Sequence, residues 1–374
     1  MMYQNVETSK LHKIRKAVKR PFAETYIFIS LIAFGLTVAV TRIFLELAGY
    51  PQVGNSVLHI AHAIWGGLLL FVAVLMTLVL ANRWSFTLSA LFSGIGVGLF
   101  IDEVGKFITQ KNDYFFPPAA PLIYSLFLLM VLLFLLLRSS QRQKRPRSSM
   151  YDAVLGLREV LDNDLDTQER DRLLAELANG RSASEPHIVL LAEQLSAYLQ
   201  NDAIPILAYR PGIWTRFNRQ LRHIGEHVGR KNHRRLIMGM TALIGFLTLL
   251  LVGLLVWAWL SPTDADNILP NLLLADTELT IQRPIWLVVR LVLQVAVGIL
   301  YLFAWLLLWK GREEAGIDVA IFTALFSLTA VHLLNFYLNQ FSALTAVFIN
   351  IAFFLLLLAY RSWYLLINGQ VVED

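Results

Sequence analysis

The chain has 374 residues, of which 56% are hydrophobic and 16% charged, with a net charge of +5. A soluble domain carries about 25% charged residues, so this composition excludes an ordinary soluble protein and indicates an integral membrane protein. With no cysteine, disulfides and thiolate chemistry are excluded, and nothing in the residues reports the redox compartment.

Residues 1–22 form a basic segment that contains Lys10, Lys13, Arg15, Lys16, Lys19 and Arg20. Eight apolar stretches then follow, each long enough to cross about 30 Å of hydrocarbon as a helix rising 1.5 Å per residue. They fall near 23–47, 57–81, 86–108, 120–138, 236–260, 285–309, 316–338 and 342–362. The expected fold is an all-α polytopic membrane protein: a four-helix unit at 23–138, a cytoplasmic insertion at 139–235, a second four-helix unit at 236–362 and a tail at 363–374. The first stretch is read as a span rather than a cleaved signal peptide, because its apolar run is too long and no small-residue cleavage site follows. Basic clusters before the first span, after the fourth (Arg138, Arg142, Lys144, Arg145, Arg147) and before the fifth (Arg230, Lys231, Arg234, Arg235) place both termini and the insertion in the cytoplasm by the positive-inside rule.

The insertion carries sixteen Lys or Arg against twelve Asp or Glu. Helical periodicity near 150–162, 167–179 and 186–200 predicts a small bundle, with Asp166 and Glu169 as a capping box and Asn179-Gly180 as a stop. Asp162, Asn163, Asp164 and Asp166 resemble the start of a calcium loop, but Thr167 replaces the glycine it requires and no acid stands at the twelfth position. From Ile213, an apolar stripe through Trp214, Phe217, Leu221, Ile224 and Val228 predicts an amphipathic helix along the anionic inner membrane surface. Lipid headgroups account for its arginines, so no nucleic-acid partner is expected. The insertion offers a docking surface for a cytoplasmic protein.

Ionisable residues inside spans are costly and need a reason. His59, His62, Asp102 and Glu103 are four such residues, and the topology places them at one depth near the outer face, with Asp102 and Glu103 about 8 to 9 Å inside it. Arg42, Glu46 and Lys106 reach the same layer. Arg290, Gln294, His332, Asn335 and Asn350 repeat the pattern in the second unit. Ala90-Leu91-Phe92-Ser93 also recurs as Ala324-Leu325-Phe326-Ser327, which fits two four-helix repeats of the same orientation. Beside the layer, the loop around Tyr114-Phe115-Phe116-Pro117-Pro118 is either a lid or an interfacial aromatic belt.

Three chemistries fit the quartet. His59 and His62, spaced i, i+3, can face one point, and with Glu103 they would make a zinc site that activates water. Without metal, Glu103 and Asp102 would act as general base with His59 and His62 as acid–base partners, while Arg42, Lys106 and Tyr114 would hold a substrate headgroup. Alternatively, the pairs Arg42 with Glu46, Asp102 with Lys106 and Glu103 with Lys106, at i, i+4 or i, i+3, neutralise the layer structurally. Gly94, Gly96 and Gly98 lie within a span, so they predict close helix packing rather than a phosphate loop, with Gly94 and Gly98 as a small-xxx-small pair. Gly66 and Gly67 are expected to act likewise. Such packing would bring the acids toward the histidines.

Two of these runs, Val57-Leu58-His59 through Gly66-Gly67-Leu68-Leu69 and Gly98-Leu99-Phe100-Ile101-Asp102-Glu103-Val104-Gly105-Lys106-Phe107, resemble the histidine-then-glycine and paired-acid helices of VanZ-like membrane proteins. The resemblance matches His59 to the family histidine and Glu103 to its membrane glutamate. Lys106 stands where those proteins have glutamine, and their downstream arginine, aspartate and asparagine pattern is missing. It implies a bacterial inner membrane and the cell envelope more than a reaction. Three functions stay open: an enzyme acting on a lipid or lipid-linked envelope substrate in the outer leaflet, a proton-coupled transporter or solute-binding protein, and a membrane scaffold.

Overall fold

The computed structural model describes residues 17–48, 62–110, 116–139, 145–201, 203–208, 213–260, 284–339 and 343–365. All of the regular elements among them are helices, and the one β-contact is an isolated parallel bridge between Asp166 and Leu207. In chain order these are α1 (Ala23–Leu47), α2 (His62–Val79), α3 (Arg83–Asp102), α4 (Val104–Ile108), α5 (Ala119–Ser139), α6 (Pro146–Gly156), α7 (Arg158–Leu161), α8 (Thr167–Gly180), α9 (Pro186–Leu199) and α10 (Ile213–Leu260). They continue with α11 (Pro284–Trp309), α12 (Glu313–Phe326), a π-helical turn at Ser327–Val331, α13 (His332–Asn339), α14 (Leu344–Tyr360) and a second π-helical turn at Arg361–Leu365.

Eight helical stretches among the described residues are long and apolar enough to span a membrane, four before the insertion and four after it. Their outer surfaces agree with that reading, since Leu36, Leu78, Leu136, Phe246 and Trp309 are all exposed. Such apolar area would be a liability in water, whereas lipid is its natural solvent. The chain is therefore a multi-pass, all-α membrane protein.

Its residues separate into two compact units. One is built from 17–28, 80–87, 134–139, 145–201 and 203–208, so it extends beyond the insertion and takes in the ends of several spans. Its helices follow the periodicity closely. Asp166 accepts from the Glu169 backbone at 2.8 Å while the Glu169 carboxylate reaches back to Asp166 N, the reciprocal capping box, and α8 ends at Gly180. Leu165, Leu177 and Leu199 are fully buried at its centre with Met150 and Ala192. The turn after α2 is tied to the bundle: Asn82 donates to both carboxylate oxygens of Asp162 at 3.0 Å, Arg158 donates to the Ala81 carbonyl at 2.7 Å, and Arg83 pairs with Glu159 and Glu169. The aspartates that resembled a calcium loop thus cap a helix and hold a turn. Phe22, in the left-handed region at φ 60°, has the guanidinium groups of Arg83 and Arg172 each 4.2 Å from its ring centre.

The second unit comprises the described residues among 29–79, 88–133 and 211–365. Glycine lets its helices approach. A Cβ on Gly98 would meet the Thr37 side chain at 2.9 Å, and one on Gly94 would collide with Ser30 and Ala33, so these two glycines admit α1. Gly96 is offset from both by about half a turn at 3.6 residues per turn. It faces α2, where a Cβ on Gly66 would meet the Gly96 carbonyl and Phe100 N at 2.7 Å. One face of α3 therefore clasps α1 and the other clasps α2. Gly67, expected to pack likewise, opens on free space: a Cβ added there would meet nothing within 4 Å, because this residue is rotated about 100° from Gly66.

Several of the described helices are broken or bent. The third breaks at Glu103 (φ −93°, ψ 10°), and the seventh contains the π-turn at Ser327–Val331, where the Leu328 carbonyl accepts the Tyr124 hydroxyl at 2.6 Å. The long α10 bends at Gly229, whose φ of 66° and ψ of 153° divide the expected amphipathic helix from the fifth span. In the second half, Gly245 and Gly298 join α10 to α11, and Tyr301, Phe353 and Tyr360 fill the core.

Candidate functional site

The clasped helices bring together four of the predicted polar residues. α1 supplies Arg42 from its last two turns, α2 supplies His62 as its first residue, and α3 ends at Asp102 with Glu103 in the break behind it. Arg42 Nε meets Asp102 Oδ1 at 2.5 Å, and its Nη2 donates to the Asp102 carbonyl at 2.9 Å. That second bond caps the end of α3, where freed carbonyls carry partial negative charge. His62 then bridges the two acids, with Nε2 3.1 Å from Asp102 Oδ2 and Nδ1 3.4 Å from Glu103 Oε1.

Exposure grades the group. The side chains of Arg42, Asp102 and Glu103 are 4%, 0% and 2% exposed, whereas His62 is 25% exposed. The imidazole is therefore the accessible member, and the carboxylates stand behind it. A neutral imidazole has one N–H, so it can donate to only one acid. Satisfying both contacts takes a second proton on the ring or a proton on one carboxyl group. With an imidazolium, the charges of Arg42, Asp102, His62 and Glu103 sum to zero, which removes the cost of a net charge at this depth.

An i, i+4 pairing of Arg42 with Glu46 was the expectation along α1, and the structure adds a tertiary bond from Arg42 to Asp102, sixty residues away. His59 and Tyr114 lie outside the described residues, and so do the side chains of Glu46 and Lys106. Among the described residues no group of three His, Cys, Asp or Glu is arranged to hold a metal ion. The expected zinc ligands were His59, His62 and Glu103, and His59 is not among the described residues.

A second polar cluster forms in the other four spans. Asn350 of α14 donates to Ser327 Oγ at 2.8 Å and lies 3.1 Å from His332 Nε2. Arg290, Ser327, His332 and Asn335 are all buried. Sequence reading placed Arg290, Gln294, His332, Asn335 and Asn350 in one layer. It missed the role of Ser327, which carried a signal only as the end of the repeated Ala-Leu-Phe-Ser quartet. It also missed the π-turn beneath His332, a feature that marks functional sites and has no composition cue. His233, buried near the N-terminal end of the fifth span among the rings of Tyr360, Trp363 and Tyr364, drew no notice either.

Compared with protein-family models, with curated proteins and with solved structures, the chain matches none. The resemblance to VanZ-like proteins therefore rests on its two short motifs alone.

Proposed function

We propose that the protein acts on a lipid or lipid-linked substrate at the outer face of a bacterial plasma membrane, by acid–base chemistry centred on His62. The observation that carries this reading is the partly exposed imidazole held between two buried carboxylates. Asp102, itself fixed by Arg42, orients the ring, and Glu103 faces the second nitrogen. His62 is then the group that exchanges a proton with substrate, and Asp102 positions it, a division of labour that acid–base enzymes use repeatedly. Substrate would arrive from the lipid phase, with both protein termini on the cytoplasmic side.

A second reading, proton-coupled transport, draws on the His332–Asn350–Ser327 cluster, since paired polar sites in two halves suit alternating access. One comparison separates the two. Protein in nanodiscs of bacterial envelope lipids is incubated and the lipids are followed by mass spectrometry, beside His62→Gln and Asp102→Asn. The enzyme reading expects a lipid product from wild type that both variants fail to make. Unchanged lipids, together with a proton flux in vesicles that both variants lose, would replace it with transport. Zinc in the purified protein that disappears in His59→Ala would assign the proton-transfer role to a metal-bound water instead.

A further inference from the structure

We infer that an apolar groove between the two four-helix sets holds the hydrocarbon chain of a membrane lipid, with its headgroup at the polar residues above. This deepens the reading of a lipid-directed site and rests on it. The groove is lined by Phe34 and Val38 of α1, Tyr124 of α5, Phe336 of α13, and Val347 and Ile351 of α14, and it encloses about 520 Å³ counted to its open mouth. Among the described residues its lining carries one polar side-chain atom, the Tyr124 hydroxyl, and that is given to the Leu328 carbonyl.

Size selects the occupant. A helix about 10 Å across rising 5.4 Å per turn fills roughly 400 Å³ per turn, so even counted to its open mouth the groove cannot seat a spanning helix from a second copy. A single extended hydrocarbon chain fits, and the wall residues all belong to segments apolar enough to lie at hydrocarbon depth. Polarity sets the direction. Phe34, Val38 and Arg42 follow one another on the i, i+4 row of α1, so the polar group begins about 6 Å beyond the groove wall.

The test uses the full chain in vesicles of phosphatidylethanolamine and phosphatidylglycerol, with a tracer phosphatidylethanolamine that carries a diazirine in its acyl chain. After illumination, adducts are mapped by peptide mass spectrometry. Labelling of Tyr124, Phe127, Val347 and Ile351 should exceed that of the exposed, lipid-facing Leu132 and Leu136 several-fold. Gly35→Leu should reduce the excess, because even a Cβ there meets the Phe127 ring at 3.0 Å. Val347→Phe fills the groove from the opposite wall, and thermal unfolding shows which variant is folded. Wild-type labelling no higher in the groove than at Leu132 and Leu136 would overturn the inference, as would a folded filling variant that keeps the excess. His62→Gln should keep the labelling while losing turnover. Turnover that depends on His62 without groove labelling would sink the groove alone, and labelling without turnover would sink the acid–base reading alone.

Discussion

Arg42 and Asp102 form a buried ion pair where neither partner has water to fall back on. Breaking such a pair costs about 3–5 kcal/mol because the surviving charge is left uncompensated, whereas replacing both with apolar groups is often neutral. Asp102→Asn should therefore lower the thermal midpoint sharply in nanodiscs, and Arg42→Met combined with Asp102→Leu should recover most of the loss without restoring turnover. Recovery no better than either single variant would refute uncompensated charge as the cause of the loss. A different balance operates at Glu159 outside the membrane. Burial pushes its carboxyl above the usual carboxylate range, Arg83 opposes this, and Glu169 and Asp164 add to it. A raised carboxylate pKa means that the folded state holds its proton more tightly than the unfolded state. Its contribution is therefore fully present below the ordinary carboxylate pKa and is lost as pH rises through the folded value. Glu159→Gln should flatten that acid-side dependence, read by hydrogen exchange of α8 and α9 in the full chain. An unchanged pH profile would remove Glu159 as its source.

At the scale of elements, α3 organises the first half because its glycines alternate between two partners. Gly66→Ala should force α2 off α3, with an overpacking cost of about 1–3 kcal/mol, and pull His62 away from Asp102. Gly67→Ala, one residue on and open to lipid, should instead be neutral or stabilise by up to about 1 kcal/mol through helix propensity. Equal effects of the two changes on unfolding would disprove the clasp. The glycines were legible in the sequence as packing residues, and Gly94 with Gly98 was the right pair. What composition could not separate was Gly66 from Gly67, since both sit in the same apolar run and only the position of the neighbouring helix distinguishes them. The breaks at Glu103 and at Ser327–Val331 were equally hidden. Both spans read as continuous apolar helices, because the interruption depends on tertiary partners: Tyr124 for the Leu328 carbonyl and Arg42 for the Asp102 carbonyl.

For the whole molecule, the absence of native cysteine makes topology directly measurable, since one introduced thiol is the only target. Gln110→Cys should react with an impermeant maleimide on intact cells, whereas Ser182→Cys and Lys310→Cys should react only after permeabilisation. All three positions are exposed, so burial does not confound the result. Labelling of Lys310→Cys from outside would invert the proposed orientation. Hydrophobic length alone determined the membrane class and the eight spans, because hydrocarbon thickness and the cost of charge in lipid act on each segment independently of its neighbours. Periodicity and capping residues likewise determined the helices of the insertion, where Asp166, Glu169 and Gly180 mark a boundary within their own few residues. Only the tertiary structure decided which members of the polar layer meet. Arg42 bonds to Asp102 of another helix, a pairing that no spacing along α1 announces. His62 turned out to be the exposed member of the group, with both acids behind it. Those outcomes depend on how closely α1, α2 and α3 approach, a distance set by pairs of glycines on different helices, and no single helix carries that information.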